Sequence, residues 1–187
     1  MKKVLIVVDV QRDFCEGGAL AANDTRSLLN PLQKYIEAVR QREDLVVFSQ
    51  DWHPVNHKSF KQNGGPWPVH CVAGSRGAEL MPPLKPISSD VIIHKGVSCD
   101  ADGYSAFAAT GLSKRLDSLG IQSLAVCGIA TEYCVRATAL DAAKAKYQVT
   151  LLRDLVRAVN NSDALIALDK ITDAGVKLLD ARDWLKS

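Results

Sequence analysis

No apolar run in this chain approaches the ~20 residues that a membrane-spanning helix needs, so no membrane role is expected. An excess of charge of one sign is also missing. Against 23 Lys and Arg stand 21 Asp and Glu, for a net charge of +2. Without a basic stripe, nucleic acid is not indicated as a partner. Internal repeats, low-complexity tracts and domain linkers are absent, so residues 1–187 are expected to form a single domain with a full core. A paired cysteine framework is lacking too. Cys15, Cys71, Cys99, Cys127 and Cys134 are odd in number and irregularly spaced, which favours reduced thiols in a cytoplasm. The start, Met1-Lys2-Lys3-Val4, passes straight into a strand pattern without the apolar core and small-residue cleavage site of a signal peptide, so a cytoplasmic location is expected.

What the chain does have is short apolar runs alternating with helical periodicity. Val4–Val8, Leu45–Ser49, Asp90–His94, Ser123–Cys127 and Tyr147–Leu152 read as buried strands, and Ala174–Leu179 as a sixth, edge strand. Between them lie helical patterns. One carries Leu28, Leu29, Leu32, Ile36 and Val39, with Asn23 or Asp24 as its cap; Pro31 argues for a start nearer Asn30. A second runs through Leu112, Leu116 and Leu119 and stops at Gly120. A third follows Cys134, and a fourth is capped by Asn161 or Ser162 and runs through Leu165, Ile166 and Leu168. The fold class this predicts is α/β, a doubly wound, mostly parallel sheet of about six strands with helices on both faces.

The chemistry-bearing residues fall where such a sheet places its ligands, beyond the carboxyl ends of strands. Asp9 follows the first strand, Asp51 the second, Lys95 the third. Cys134 lies on the turn Gly128-Ile129-Ala130-Thr131-Glu132-Tyr133-Cys134 that leaves the fourth. A thiol near a helix start is expected to be drawn toward thiolate by the unpaired N–H groups there, and the same groups can receive an oxyanion. The stretch from Gln50 to Pro86 is long, rich in Gly and Pro, and holds three of the four histidines and two of the three tryptophans. Loops of this length tend to be functional. Asp51, His53, His57 and His70 cluster in it, a donor set suited to Zn²⁺, Mn²⁺ or Fe²⁺, with Cys71 as an additional candidate ligand. His94, inside a strand pattern, is expected to be packed.

Five stretches, taken in order, resemble the nicotinamidase/pyrazinamidase branch of the isochorismatase-like cysteine hydrolases. They are Val8-Asp9-Val10-Gln11-Arg12-Asp13-Phe14, Asp51-Trp52-His53-Pro54-Val55-Asn56-His57-Lys58-Ser59-Phe60, Trp67-Pro68-Val69-His70-Cys71-Val72, His94-Lys95-Gly96 and Gly128 to Val135. The resemblance implies an Asp9, Lys95, Cys134 catalytic triad that hydrolyses nicotinamide to nicotinate and ammonia in NAD salvage, through a cysteine thioester, with pyrazinamide as a further substrate. It implies a cis peptide between Ile129 and Ala130, and an oxyanion held by the N–H groups of Ala130 and Cys134. One divalent metal ion, zinc before manganese or iron, would be held by Asp51, His53 and His70, with His57 a ligand in some members only. Phe14, Trp67 and Tyr104 would wall the pyridine ring. Assembly as a homo-oligomer is left open. The loop between His57 and His70 is shorter than in several relatives, which leaves the breadth of substrates open. Two other readings stand beside this one. A relative acting on carbamoyl or aliphatic amides would generally lack the metal cluster. A zinc-binding interaction protein would leave Asp9, Lys95 and the Cys134 turn unexplained.

Overall fold

The computed structural model describes residues 2–186. Its six strands form one sheet with all neighbours parallel, in the order β3-β2-β1-β4-β5-β6. They are β1 (Val4–Val8), β2 (Leu45–Asp51), β3 (Val91–Lys95), β4 (Ser123–Ile129), β5 (Gln148–Arg157) and β6 (Lys177–Leu179). Every residue of β1 and β2 is buried, as unbroken β-branched and aliphatic runs require when helices cover both faces of a sheet. The sixth strand is the expected edge strand, shortened to three residues.

The second strand runs past the expected Ser49 to Asp51. Its neighbour β1 has already ended there, at the Val8–Ser49 pair. The side chain of Gln11 takes over: its Nε2 donates to Asp51 O at 2.8 Å, and its Oε1 accepts from Asp51 N at 2.8 Å. A side-chain amide thus supplies both hydrogen bonds of a missing strand residue, which keeps a buried backbone pair satisfied.

Helices α1 (Thr25–Gln41) and α5 (Ala181–Trp184) lie on one face. There Leu28, Leu32, Ile36, Val39 and Trp184 pack on Leu5, Val7, Val46, Phe48 and Cys127. Helices α2 (Leu112–Ser118), α3 (Arg136–Lys144) and α4 (Asn161–Asp173) cover the other. There Leu112, Leu116, Ala139, Ala142 and Ile171 pack on Val4, Ile6, Val47, Ile93 and Val126. Helix α1 begins at Thr25 with Asp24 at its cap position, one of the two expected caps, and Pro31 lies inside it. An interior proline costs about 3 kcal/mol, but Leu28 and Leu29 precede it and are buried, and each fully buried leucine returns about 1.5–3 kcal/mol. Helix α4 is capped by Asn160, whose side chain accepts from Ser162 N and Asp163 N. Its inward face is Ala164, Ala167 and Ile171, while Leu165 and Ile166 point outward at 66% and 54% exposure.

The chain winds from β1 toward β3 on one side and from β4 toward β6 on the other. The boundary between β1 and β4 is the switch point where such sheets open a crevice. Gly128 permits the close pairing of these two strands. It has φ +113°, and a Cβ there would lie 2.1 Å from Val8 O. Gly128→Ala should cost about 3 kcal/mol or more, from strain and overpacking together. A melting temperature lower by roughly 6–12 °C is the expected reading for a chain of this size, and an unchanged melting curve would count against the close-approach argument.

Candidate active site

The expected strand-end residues converge. Lys95 closes the edge strand β3, and its register partner is Asp51 at the end of β2. Asp9 lies one residue past β1, two strands from Lys95 and roughly 9–10 Å away in strand spacing. Only a long side chain bridges that gap. The Lys95 ammonium lies 2.7 Å from Asp9 Oδ2 and 2.6 Å from Asp51 Oδ1. It also donates to Gly103 O at 2.8 Å and to Cys134 Sγ at 3.4 Å. All of these side chains are buried. Asp9 adopts φ +48°, and Ser49 Oγ donates to its Oδ1 at 2.7 Å. Asp9, Asp51 and Cys134 also form a cluster of potential ligand atoms, but the Lys95 ammonium already fills the position between them.

Electrostatics set the resting protonation. Burial pushes the Asp9 carboxyl up to about 6, with the Lys95 charge opposing and Asp51 adding to the rise. For Asp51 burial acts the same way, but Lys95 and His53 outweigh it and hold the carboxyl well below the usual range. Burial drives the Cys134 thiol well above its ordinary value, with Lys95 pulling the other way. This corrects the expectation that the helix start alone would favour thiolate. Cys134 does sit in the first turn after β4, a π-helical turn over Thr131–Val135 that runs into α3, but it is only 6% exposed. Burial is the largest cause of that rise, so the thiol needs a base beside it. A carboxylate oxygen of Asp9 lies within 4.8 Å of Cys134 Sγ, and its raised pKa suits it to take up a proton there. The Ile129–Ala130 peptide is cis.

Asp51 also belongs to the second constellation. It is a strand residue, not part of a separate loop with the histidines, so the two constellations share it. Its Oδ2 is 3.4 Å from His53 Nε2, and ligand atoms of Asp51, His53 and His70 all lie within 4.8 Å of one another. The ring tautomers test whether a cation fits. His53 Nδ1 faces Gly96 O at 3.0 Å and His70 Nδ1 faces Pro68 O at 2.7 Å. A carbonyl only accepts, so each Nδ1 carries the proton and each Nε2 presents a bare lone pair. Two bare nitrogens and a carboxylate oxygen converging in a buried place form a site for a divalent cation, and this O,N,N set suits zinc, manganese or iron. His57 is buried and stacked on His53 with centroids 4.0 Å apart, outside that group of three. Cys71 is buried among core residues with its Sγ 4.0 Å from Gly77 O, and it is not in the group either.

A cleft partly open to solvent joins the two constellations, and Cys134, Asp51, His53 and His70 line it. Its walls include the expected Phe14, Trp67 and Tyr104. Tyr133 was not singled out in the sequence, yet it is central. Its ring meets Trp67 edge-on at 5.1 Å and stacks on Tyr104 at 6.2 Å. Trp67 Nε1 donates to Tyr104 OH at 3.1 Å, which locks the wall. The available signal was its place beside Cys134. Ser49 inside β2 and Gln11 just past β1 were missed as well, since a polar residue gives no sign in sequence of a distant partner. His94, expected to be packed, is exposed on β3 with its ring stacked on Trp52 at 4.2 Å.

Comparison with known proteins comes down on one family. The isochorismatase domain model matches residues 3–183. The nicotinamidase of Escherichia coli (strain K12) is 37% identical over 205 residues, covering 97% of this chain and 96% of that one. A crystal structure of the pyrazinamidase of Pyrococcus horikoshii in complex with zinc superposes with a TM-score of 0.92 at 42% identity, covering 96% of this chain and 99% of that one. PnC1 from L. infantum in complex with nicotinate gives a TM-score of 0.89 at 42% identity, over 97% and 93% of the two chains.

The charge balance has a direct chemical test. The Asp9 carboxylate raises the Cys134 thiol pKa while Lys95 lowers it, so iodoacetamide should label Cys134 in Asp9→Asn at least as fast as in the wild type near neutral pH, while labelling of Cys99 stays unchanged. Mass spectrometry of the labelled peptides reads both. A slower Cys134 rate in the variant would contradict this balance of charges.

Proposed function

The chain belongs to the isochorismatase family, and on that premise we propose that it is a nicotinamidase that hydrolyses nicotinamide to nicotinate and ammonia by cysteine catalysis. The observation that carries this reading is the Lys95 ammonium, which joins Asp9 and Cys134 to Asp51 at the edge of an aromatic cleft. The nicotinate bound by the L. infantum relative, the product of this reaction, and the zinc bound by the Pyrococcus horikoshii relative support the same reaction and metal here.

The aromatic walls of Phe14, Trp67, Tyr104 and Tyr133 take the flat ring, leaving its carboxamide at Cys134. Asp9 accepts the thiol proton as sulfur attacks the amide carbon. Lys95, hydrogen-bonded to sulfur, stabilises the thiolate as it forms. The N–H groups of Ala130 and Cys134 hold the oxyanion. The C–N bond then breaks, Asp9 returns its proton to the leaving nitrogen, and ammonia departs from a thioester. Water enters, Asp9 removes its proton, and attack on the thioester carbon releases nicotinate and restores the thiol. Asp51, His53 and His70 would hold one zinc ion. When bound, the metal supplies a Lewis-acid anchor for the ring nitrogen, directly or through water, and so fixes where the carboxamide lies. Action in the cytoplasm within NAD salvage, and acceptance of pyrazinamide, belong to the same proposal.

Cys134→Ala should abolish ammonia release from nicotinamide without unfolding the chain, because a thiol-to-methyl change loses little packing; residual turnover near the wild-type rate would end the nucleophile assignment. Asp9→Asn should lower kcat by roughly 10²–10⁴. The wild type should lose kcat/KM below about pH 6, where Asp9 gains a proton and ceases to be a base. Each further pH unit should cost about tenfold, and a rate that holds flat well below that point, with metal in excess, would contradict the role given to Asp9.

A further inference from the structure

The turn that carries Cys134 is held from outside by a carboxylate that the chemistry above does not use. Strands β4 and β5 pair as far as Ile129 and Arg157. Beyond that point side chains continue the join, as Gln11 does for β2. Thr131 Oγ1 donates to Arg157 O at 3.1 Å. Glu132 Oε1 accepts from two backbone N–H groups, that of Val159 at 2.9 Å and that of Asn160 at 2.7 Å. Hydrogen bonds to a carboxylate are roughly twice as strong as those between neutral groups. Glu132 is only 3% exposed, and its Oε2 is buried without a hydrogen bond among the described residues. A polar group is kept in so dry a place only where its bonds compensate for the lost water.

The placement joins two parts of the fold. Glu132 lies in the π-helical turn Thr131–Val135, between Ala130 and Cys134, whose N–H groups are the candidate oxyanion donors. Its two partners lie in the connection from β5 to α4. Asn160 caps α4, accepting from Ser162 N and Asp163 N. The carboxylate therefore also lies at the start of that helix, where the backbone dipole favours negative charge. Within the turn, Tyr133 N and Val135 N donate to Ala130 O at 3.0 and 3.2 Å. Those bonds shape the turn from inside, and Glu132 with Thr131 ties it to the neighbouring connection.

We propose that Glu132 is a positioning residue: its carboxylate clamps the Cys134 turn to the β5–α4 connection and so holds the sulfur and the oxyanion donors where the carboxamide is attacked. The inference rests on the function proposed above. Glu132 does not line the cleft, so it acts through Cys134 and Ala130 and not on the substrate. What the clamp needs is one acceptor oxygen for two N–H groups. Misplacing the reacting atoms by about 1 Å can cost 10²-fold in rate. A loosened turn should therefore show in kcat more than in KM, because the ring walls Phe14, Trp67 and Tyr104 lie on other segments.

Two variants of the full chain test the clamp. Glu132→Ala removes the acceptor, and Glu132→Gln keeps a carbonyl oxygen for both N–H groups. Ammonia release from nicotinamide, normalised to folded protein, should lose roughly 10–100-fold in kcat in the Ala variant, with KM within about threefold of the wild type. The Gln variant should keep kcat within about threefold. Amide hydrogen exchange followed by NMR reads the turn itself. In the Ala variant the Tyr133 and Val135 amides should exchange about tenfold faster or more, while those of Val7 and Phe48 in the central strands keep their wild-type rates. A side chain that served only the start of α4 would leave the turn amides unchanged. Wild-type kcat in the Ala variant, unchanged turn amides, or a Gln variant as slow as the Ala variant overturns the proposal. If the Ala variant does not fold, the Gln variant decides: kcat near the wild type supports the clamp, and a loss of about tenfold overturns it. If the wild type releases no ammonia from nicotinamide, the function reading fails, and the exchange rates alone decide the clamp.

Discussion

The Lys95 ammonium lies where burial strips it of water, and the site is arranged around keeping that charge compensated. It meets carboxylates of Asp9 and Asp51 and the carbonyl of Gly103, and it reaches Cys134 Sγ. An ion left buried without partners destabilises a fold by about 3–5 kcal/mol, so the charged members, Lys95, Asp9 and Asp51, cannot be neutralised one at a time without disturbing the others. One ammonium against two carboxylates leaves a net negative charge inside the protein. Burial relieves it in one way by raising the Asp9 pKa to about 6, which eases its uptake of a proton. A divalent cation beside Asp51 Oδ2 would relieve it in another. The proton acceptor and the metal site thus answer the same excess of charge from opposite sides of Lys95.

The sheet order makes this meeting possible. Asp9, Asp51, Lys95 and the Cys134 turn come from four neighbouring parallel strands, and parallel strands end on a common edge. Two local devices sharpen the edge. Gly128 lets β4 approach β1 without a side chain in the way. The Gln11 amide carries β2 two residues beyond the point where β1 stops pairing with it, so that Asp51 is held at the register of Lys95. A flexible Asp51 would lose both its grip on the ammonium and its aim toward the histidines.

Much of this was legible because the relevant signals are local. Apolar runs gave the strands, and strand ends gave Asp9, Lys95 and Cys134 as candidates before any geometry was known. What was not legible depended on distant partners. Pro31 argues locally for a late helix start, yet buried Leu28 and Leu29 carry α1 back to Thr25. A thiol at a helix start reads as activated, but the sequence does not reveal how deeply the sheet edge buries it. Tyr133, Ser49 and Gln11 act through rings, a carboxylate and a backbone that lie close only in the folded chain.

Asp51 bears most on how the two halves of the site work together. One of its oxygens is committed to Lys95 and the other faces His53 Nε2. In sequence Asp51 both follows the second strand and opens the histidine-rich stretch. The fold keeps that double placement, so the two halves of the site cannot act separately. A cation at Oδ2 would draw charge away from Oδ1, weaken the hold of Asp51 on the ammonium and leave more of the Lys95 charge for Asp9 and the sulfur. On the function proposed above, the group that orients the substrate would then also set the field around the sulfur, with a single carboxylate as the path between them.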